Sequence, residues 1–329
     1  MVLLLVSLPL LLLILAANWV TARGSAGART AFNLLLFLGG ALLVAAGLLW
    51  RFWPGLQAAL PAADGELLAR GLGSAAVVGM GLWAMLVSPR PARRQLARLL
   101  PALDLDSPVH TLALVLVGFL AGNALLSSSA GLEALAAADV QASLLDLLAQ
   151  TVVFVLAAVL GAGYLLRRNG AALAERLGLQ RPTGRQVWTG VRWMVFFVFL
   201  QGCISATWAL LSPEEAAQLS GINQTLLGNF DTVGEWFLLA AAAGVGEELF
   251  FRGALQPIFG IVPTSLIFAI SHVQYGLSPA TLTVFLLSVV LGIIRKRSNT
   301  TVSILVHFGY NFTLGLLSLL ALQLQSLAR

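Results

Sequence analysis

Apolar runs close to twenty residues long recur along the whole chain, and they restrict its fold more than any other feature. A helix rises about 1.5 Å per residue, so about 20 apolar residues cross the hydrocarbon core of a bilayer. About ten such runs are present, at roughly 2–20, 31–53, 71–88, 108–128, 143–166, 187–211, 233–255, 262–277, 279–295 and 300–325. The eighth is short enough to resemble a half-span. In lipid every backbone polar group must find its partner within the protein, and runs of this length do so as helices. The predicted fold is therefore all-α: a polytopic transmembrane bundle of about ten spans. Composition agrees. Of 329 residues, 59% are hydrophobic and 10% charged, against about 25% charged in an average soluble domain. That is too little polar surface for a soluble enzyme, and it also excludes a disordered chain and a nucleic-acid-binding module. The single cysteine, Cys203, excludes an intrachain disulfide and a thiolate metal cluster and reads as a small packing residue.

The net charge of +5 is distributed by topology. Basic residues collect in alternate loops: Arg23 and Arg29; Arg90, Arg93, Arg94 and Arg98; Arg167, Arg168, Arg176, Arg181 and Arg185; and Arg295, Lys296 and Arg297. The intervening loops 129–142 and 212–232 hold no basic residue but do hold Glu133, Asp139, Glu214, Glu215 and Asp231. The positive-inside rule then predicts basic loops in the cytoplasm and both termini outside. The first run lacks a basic leader and reads as an uncleaved span. Residues 1–166 form an N-terminal group of transmembrane helices. Residues 167–186 form a cytoplasmic linker, in which Ala171–Leu179 reads as a short amphipathic helix. Residues 187–329 form the C-terminal core. Gly118 and Gly122 in the fourth run make a GxxxG, a signal for close helix contact.

Ionisable groups at membrane depth are expensive and mark functional sites. Spans one to six hold almost none away from their ends; His110 lies at a span start and reads as structural. The last third differs. Glu247, Glu248 and Arg252 lie in the seventh run, His272 in the eighth, and His307 and Asn311 in the tenth. Counted from the basic ends of their helices, Glu247, His272 and His307 lie at similar depths of roughly 10–14 Å. Glu248 and Arg252 are spaced i,i+4 with the acid first, the favourable order for an ion pair. Glu247 points about 100° away and can face a different partner. Gly244, Gly246 and Gly253 thin the helix around the acidic pair.

These residues resemble a known family. Glu247-Glu248-Leu249-Phe250-Phe251-Arg252 matches the EExxxR motif of the CPBP (CAAX protease and bacteriocin-processing) family of intramembrane endopeptidases, which includes the type II CAAX prenyl endopeptidases. Phe268-Ala269-Ile270-Ser271-His272 matches its FxxxH motif, and His307-Phe308-Gly309-Tyr310-Asn311 its HxxxN motif. The motifs stand in the family's order on successive apolar segments. The resemblance covers roughly residues 233–315, and the motifs themselves run from 247 to 311.

The resemblance implies an endopeptidase that cleaves a membrane-associated protein or peptide. Glu247 would activate water, with His272 holding or protonating it. His307 and Asn311 would stabilise the oxyanion or position the water, and Glu248 and Arg252 would support the motif. Amide hydrolysis needs such a base, a proton carrier and oxyanion donors. Glu247, His272 and His307 also make a chemically plausible zinc set, with a fourth position for water. No HExxH is present to require a metal. Metal-free glutamate chemistry is the expectation, with zinc the alternative. Two other readings compete: a catalytically silent scaffold or immunity protein of the same fold, and a proton-coupled transporter. The expected setting is a multi-pass position in a bacterial plasma membrane, with the site opening toward the cytoplasmic half of the bilayer.

Overall fold

The computed structural model describes residues 2–53, 66–129, 141–276 and 278–327. The acidic loop expected at 129–142, with Glu133 and Asp139, lies almost wholly outside them. Among the described residues there is no β-strand, and the all-helical class holds. The N-terminal helices are α1 (Val2–Arg23), α2 (Ala26–Phe52), α3 (Glu66–Val87), α4 (Arg90–Leu96), α5 (Pro108–Ser129) and α6 (Leu144–Gly161). A short helix α7 (Gly170–Leu177) follows, then α8 (Gly184–Leu211) and α9 (Pro213–Leu227). The core continues with α10 (Val233–Glu247), a π-helical segment (Glu248–Leu255), α11 (Gln256–Phe259), α12 (Ile261–Ser271), α13 (Pro279–Arg297) and α14 (Thr300–Leu327).

Seven helices among the described residues are long and apolar enough to cross a membrane, and the bent pair α3–α4 makes an eighth. The expectation of about ten spans is compatible with this once the other two runs are considered. The seventh run is one continuous rod, but α10 gives way to the π segment within it. The eighth is helical only over 11 residues, which reach about 16 Å and stop part-way through a bilayer. The third run ends at a 95° bend. There Pro89 stops α3, and the buried Arg93 guanidinium donates to the freed carbonyls of Val87 and Ser88 and to Leu105 O. Arg93 thus serves the backbone as well as the charge pattern of its loop.

Local chemistry sets the other boundaries. Thr183 with Gln186, and Thr232 with Glu235, form reciprocal capping boxes that start α8 and α10. Gly178, at φ +70°, closes α7 in the left-handed conformation that glycine adopts without penalty. The GxxxG glycines do bring helices together: a Cβ on Gly118 would overlap the Trp83 ring, and one on Gly122 would overlap Met80. Cys203 is exposed on α8 rather than packed, which corrects the reading of it as a core residue. Periodicity along an all-apolar helix cannot tell a lipid-facing side from a buried one.

Helix α6 joins the two groups. It packs on α1 on one side and on α10 and the π segment on the other, while α14 packs on α8, α10 and α13. The expected amphipathic linker helix is α7, and it lies against the core. Arg176 donates to Gly253 O (2.7 Å) and Ala254 O (3.2 Å) in the π segment. Thr300, opening α14, donates its amide to Gly178 O (2.9 Å) and its hydroxyl to Leu177 O (2.6 Å). Burial, followed by the charges of Arg168, Arg295 and Arg167, lowers the Arg176 guanidinium to about 10. It stays protonated near neutrality.

Candidate active site

Glycine contacts bring the acidic helix up to its neighbours. A Cβ on Gly244 would lie 3.1 Å from the Phe308 amide of α14, and one on Gly246 would lie 3.2 Å from Thr151 of α6. A Cβ on Gly253 would meet Leu177 at 3.2 Å. The glycines around the acidic pair therefore permit close packing on three sides, as their spacing suggests. At that separation the side chains of the first and third motifs touch.

Glu248 is the hub of the polar network. Its carboxylate is wholly buried, and Oε1 lies 2.9 Å from both Arg252 Nη1 and His307 Nδ1. The contact with Arg252 is an ion pair without hydrogen-bond alignment, since Nη1 has no aligned acceptor. Arg252 Nη2 instead donates to Ser288 Oγ at 2.9 Å. The expected i,i+4 pair is therefore present, and it also holds a histidine. A carboxylate can only accept, so Nδ1 of His307 carries the proton and its Nε2 is left facing Glu247 Oε2, 4.0 Å away. That separation is too long for a direct hydrogen bond.

His272 lies where α12 ends. Its Nδ1 is 2.8 Å from Phe268 O, a carbonyl that can only accept, so this imidazole too keeps its proton on Nδ1. Phe268 is almost fully buried and touches each part of the site. Its ring lies 4.7 Å from His272, 6.1 Å from His307 and 4.4 Å from the Arg252 guanidinium. Such a cation–π contact partly replaces the water that Arg252 has lost.

A cavity of about 800 Å³ reaches this cluster. Glu247, His272, His307 and Asn311 line it, whereas Glu248 and Arg252 lie behind its wall. Of the seven motif residues, five face the cavity, Phe268 among them, and Glu248 and Arg252 do not. Glu247 is partly exposed there, and its Oε2 has no hydrogen-bond partner. Tyr275, Tyr310 and Gln201 also line the cavity. Tyr310 donates to Gln201 (3.2 Å), and Tyr275 stacks on His272. Ser288 and Gln256 complete the support: Gln256 donates to Gly292 O at 2.9 Å, one turn along from the Arg252–Ser288 bond. Sequence reasoning passed over Ser288, Gln256 and Gln201, because uncharged polar residues in apolar runs carry no signal of depth. Tyr275 and Tyr310 were passed over as motif neighbours.

His110 stays structural. Its ring accepts from the Asp104 amide at 2.9 Å, and it does not line the cavity. Among the described residues no three His, Cys, Asp or Glu side chains are grouped so that they could hold a metal ion together.

These features describe a helical membrane protein with a carboxylate–imidazole cluster at the floor of an internal cavity. Comparison with known families agrees: residues 229–313 match the family described as Type II CAAX prenyl endopeptidase Rce1-like. The matched segment is about a quarter of the chain and contains all three motifs. The resemblance read from the motifs is thereby supported over that segment. No curated protein and no solved structure matches the chain.

Proposed function

We propose that the chain is an intramembrane endopeptidase that hydrolyses a peptide bond of a membrane-associated protein or peptide. The observation that carries this reading is the pairing of Glu247 with His307 across 4.0 Å at the floor of the cavity, with Nδ1 of His307 tied to Glu248. A water held by Glu247 and His307 Nε2 would give up a proton to Glu247, the only carboxylate on the cavity wall among the described residues. Its oxygen then attacks the scissile carbonyl carbon. The Asn311 amide, one helical turn beyond His307, donates to the developing oxyanion. The proton returns from Glu247, directly or through His272 Nε2, to the leaving amine as the C–N bond breaks. Glu248 fixes the tautomer and direction of His307, as a buried carboxylate does for a catalytic imidazole elsewhere. Arg252, itself held by Ser288, fixes Glu248. No step is routed through a metal.

The test compares membrane peptides in cells carrying the wild-type protein with those in cells carrying Glu247→Ala. Loss of a general base costs about 10²–10⁴ in rate. Because the Glu247 side chain is partly exposed and its Oε2 unpartnered, the variant should still fold and insert. A cleavage product present with wild type and absent with the variant supports the reading. Undiminished cleavage by Glu247→Ala would overturn it.

A further inference from the structure

The cavity has a direction, and the direction separates the depth of the site from its mouth. One end of the bundle is basic: Arg295, Lys296 and Arg297 end α13, α14 starts just beyond them, and α7 with Arg176 docks at the same level. Each core helix lines the cavity only along the part that leads away from this end. On α14 the lining begins at His307 and continues to Ser318, eleven residues or about 16 Å, and nothing over 300–306 takes part. On α13 it runs from Ala280 to Leu287 and stops ten residues before Arg297. On α10 it runs from Trp236 to Glu247. At the far end Asn223 and Thr225 of α9 border it.

The basic end is sealed by backbone contacts. Arg176 holds the Gly253 and Ala254 carbonyls, Leu177 packs against Gly253, and Thr300 bonds to Leu177 O. Glu247 does lie toward the basic end, eight residues before Leu255. By the positive-inside rule the floor of the cavity is therefore in the cytoplasmic half of the membrane, and among the described residues its lining extends from there toward the other side. Among the described residues the lining contains no Arg, Lys or Asp, and Glu247 is its only Glu. A charged side chain passing along it would find no partner before the catalytic carboxylate.

We infer that the substrate reaches this site from the face opposite the basic loops, which the positive-inside rule makes the non-cytoplasmic side, as an uncharged stretch of membrane-bound peptide. This rests on the protease reading for what happens at the floor, but the route can be tested without turnover. The full chain carrying Cys203→Ser, expressed in a bacterial host, receives one cysteine at a time. Thr225→Cys reports the mouth, Ala243→Cys the cavity one turn above Glu247, and Lys296→Cys the basic face. Gln150→Cys, on the neighbouring helix α6, replaces Ala243→Cys if that variant does not fold. A small membrane-impermeant thiol reagent is applied to vesicles of each orientation. Thr225→Cys and the deep probe should react only from the non-cytoplasmic side, and Lys296→Cys only from the cytoplasmic side. Reaction of the deep probe from the Lys296 side, or from neither side, overturns the proposal. An inactive protein that labels as expected would leave the route standing and refute only the protease reading.

Discussion

Replacing Glu248 with Gln tests the polar network most directly. The carboxylate is 0% exposed and its partner Arg252 1%. Glutamine keeps the shape and one acceptor oxygen, so Oε1 can still face His307 and Arg252. What it removes is the charge that compensates a buried guanidinium. Its NH₂ group would also occupy the place of Oε2, which has no partner, and so would be buried unsatisfied. Removing one member of a buried pair costs about 3–5 kcal/mol. Replacing both with groups of similar volume is often nearly neutral, so Glu248→Gln/Arg252→Met should recover at least half of the single-variant loss. The coupling follows from equilibrium unfolding of wild type, both single variants and the double variant in detergent micelles. Turnover should behave differently. With the carboxylate gone, His307 loses the group that fixes its tautomer, and the rate should fall by about 10²–10⁴ in both Glu248→Gln and the double variant. Recovery of turnover together with stability would show that Glu248 is a helix-to-helix tie and that its contact with His307 is incidental. A single-variant loss below about 1 kcal/mol would refute the buried, ionised pair itself.

Three further outcomes are expected. Asn311→Leu should lower kcat by about 10²-fold or more with little change in KM, because an oxyanion donor acts only in the transition state; an equal loss in binding of an uncleavable substrate would contradict that role. Gly178→Ala should destabilise the protein by about 1–2 kcal/mol, since φ is +70° and the added Cβ would meet Thr300 Oγ1 at 2.8 Å. Thermal unfolding measures this, and an unchanged midpoint would show that α7 docks without the left-handed turn. If Glu247 is the base as proposed, purified active protein should keep its activity after prolonged chelation, because the proton path then runs only through Glu247 and the imidazoles beside it. Loss of activity on chelation with recovery on adding zinc would reverse this.

Much of the site was legible because charge is costly in lipid. Glu247, Glu248, Arg252, His272 and His307 stand out against an apolar background, and i,i+4 spacing correctly paired Glu248 with Arg252. Hydropathy also located the membrane helices, since it reports where a segment lies. It does not report how the backbone runs within that segment. The stop of α12 at Ser271 is carried by sequence as apolar as a regular span, and nothing in the letters Glu248–Leu255 marks a π turn rather than an α turn. The second partner of Glu248 was hidden for a similar reason. His307 lies 59 residues away, and only the packing of α14 on Gly244 brings it within reach. Phe268 read as a motif letter, yet its ring touches both histidines and the arginine.

The wide helical turn at Glu248–Leu255 has a consequence for sequence spacing. A π turn spends more residues per revolution than an α turn, so the rod changes phase just after Glu247. Residues before the slip keep the register that faces the cavity. Those after it are rotated onto Ser288, Gly292 and the docking helix α7. Deleting a single residue at 253–255 would leave the motif intact on paper while shifting Gln256 and everything beyond it by about 100°. Such a chain would carry an unbroken EExxxR signature on a core whose two ends no longer agree.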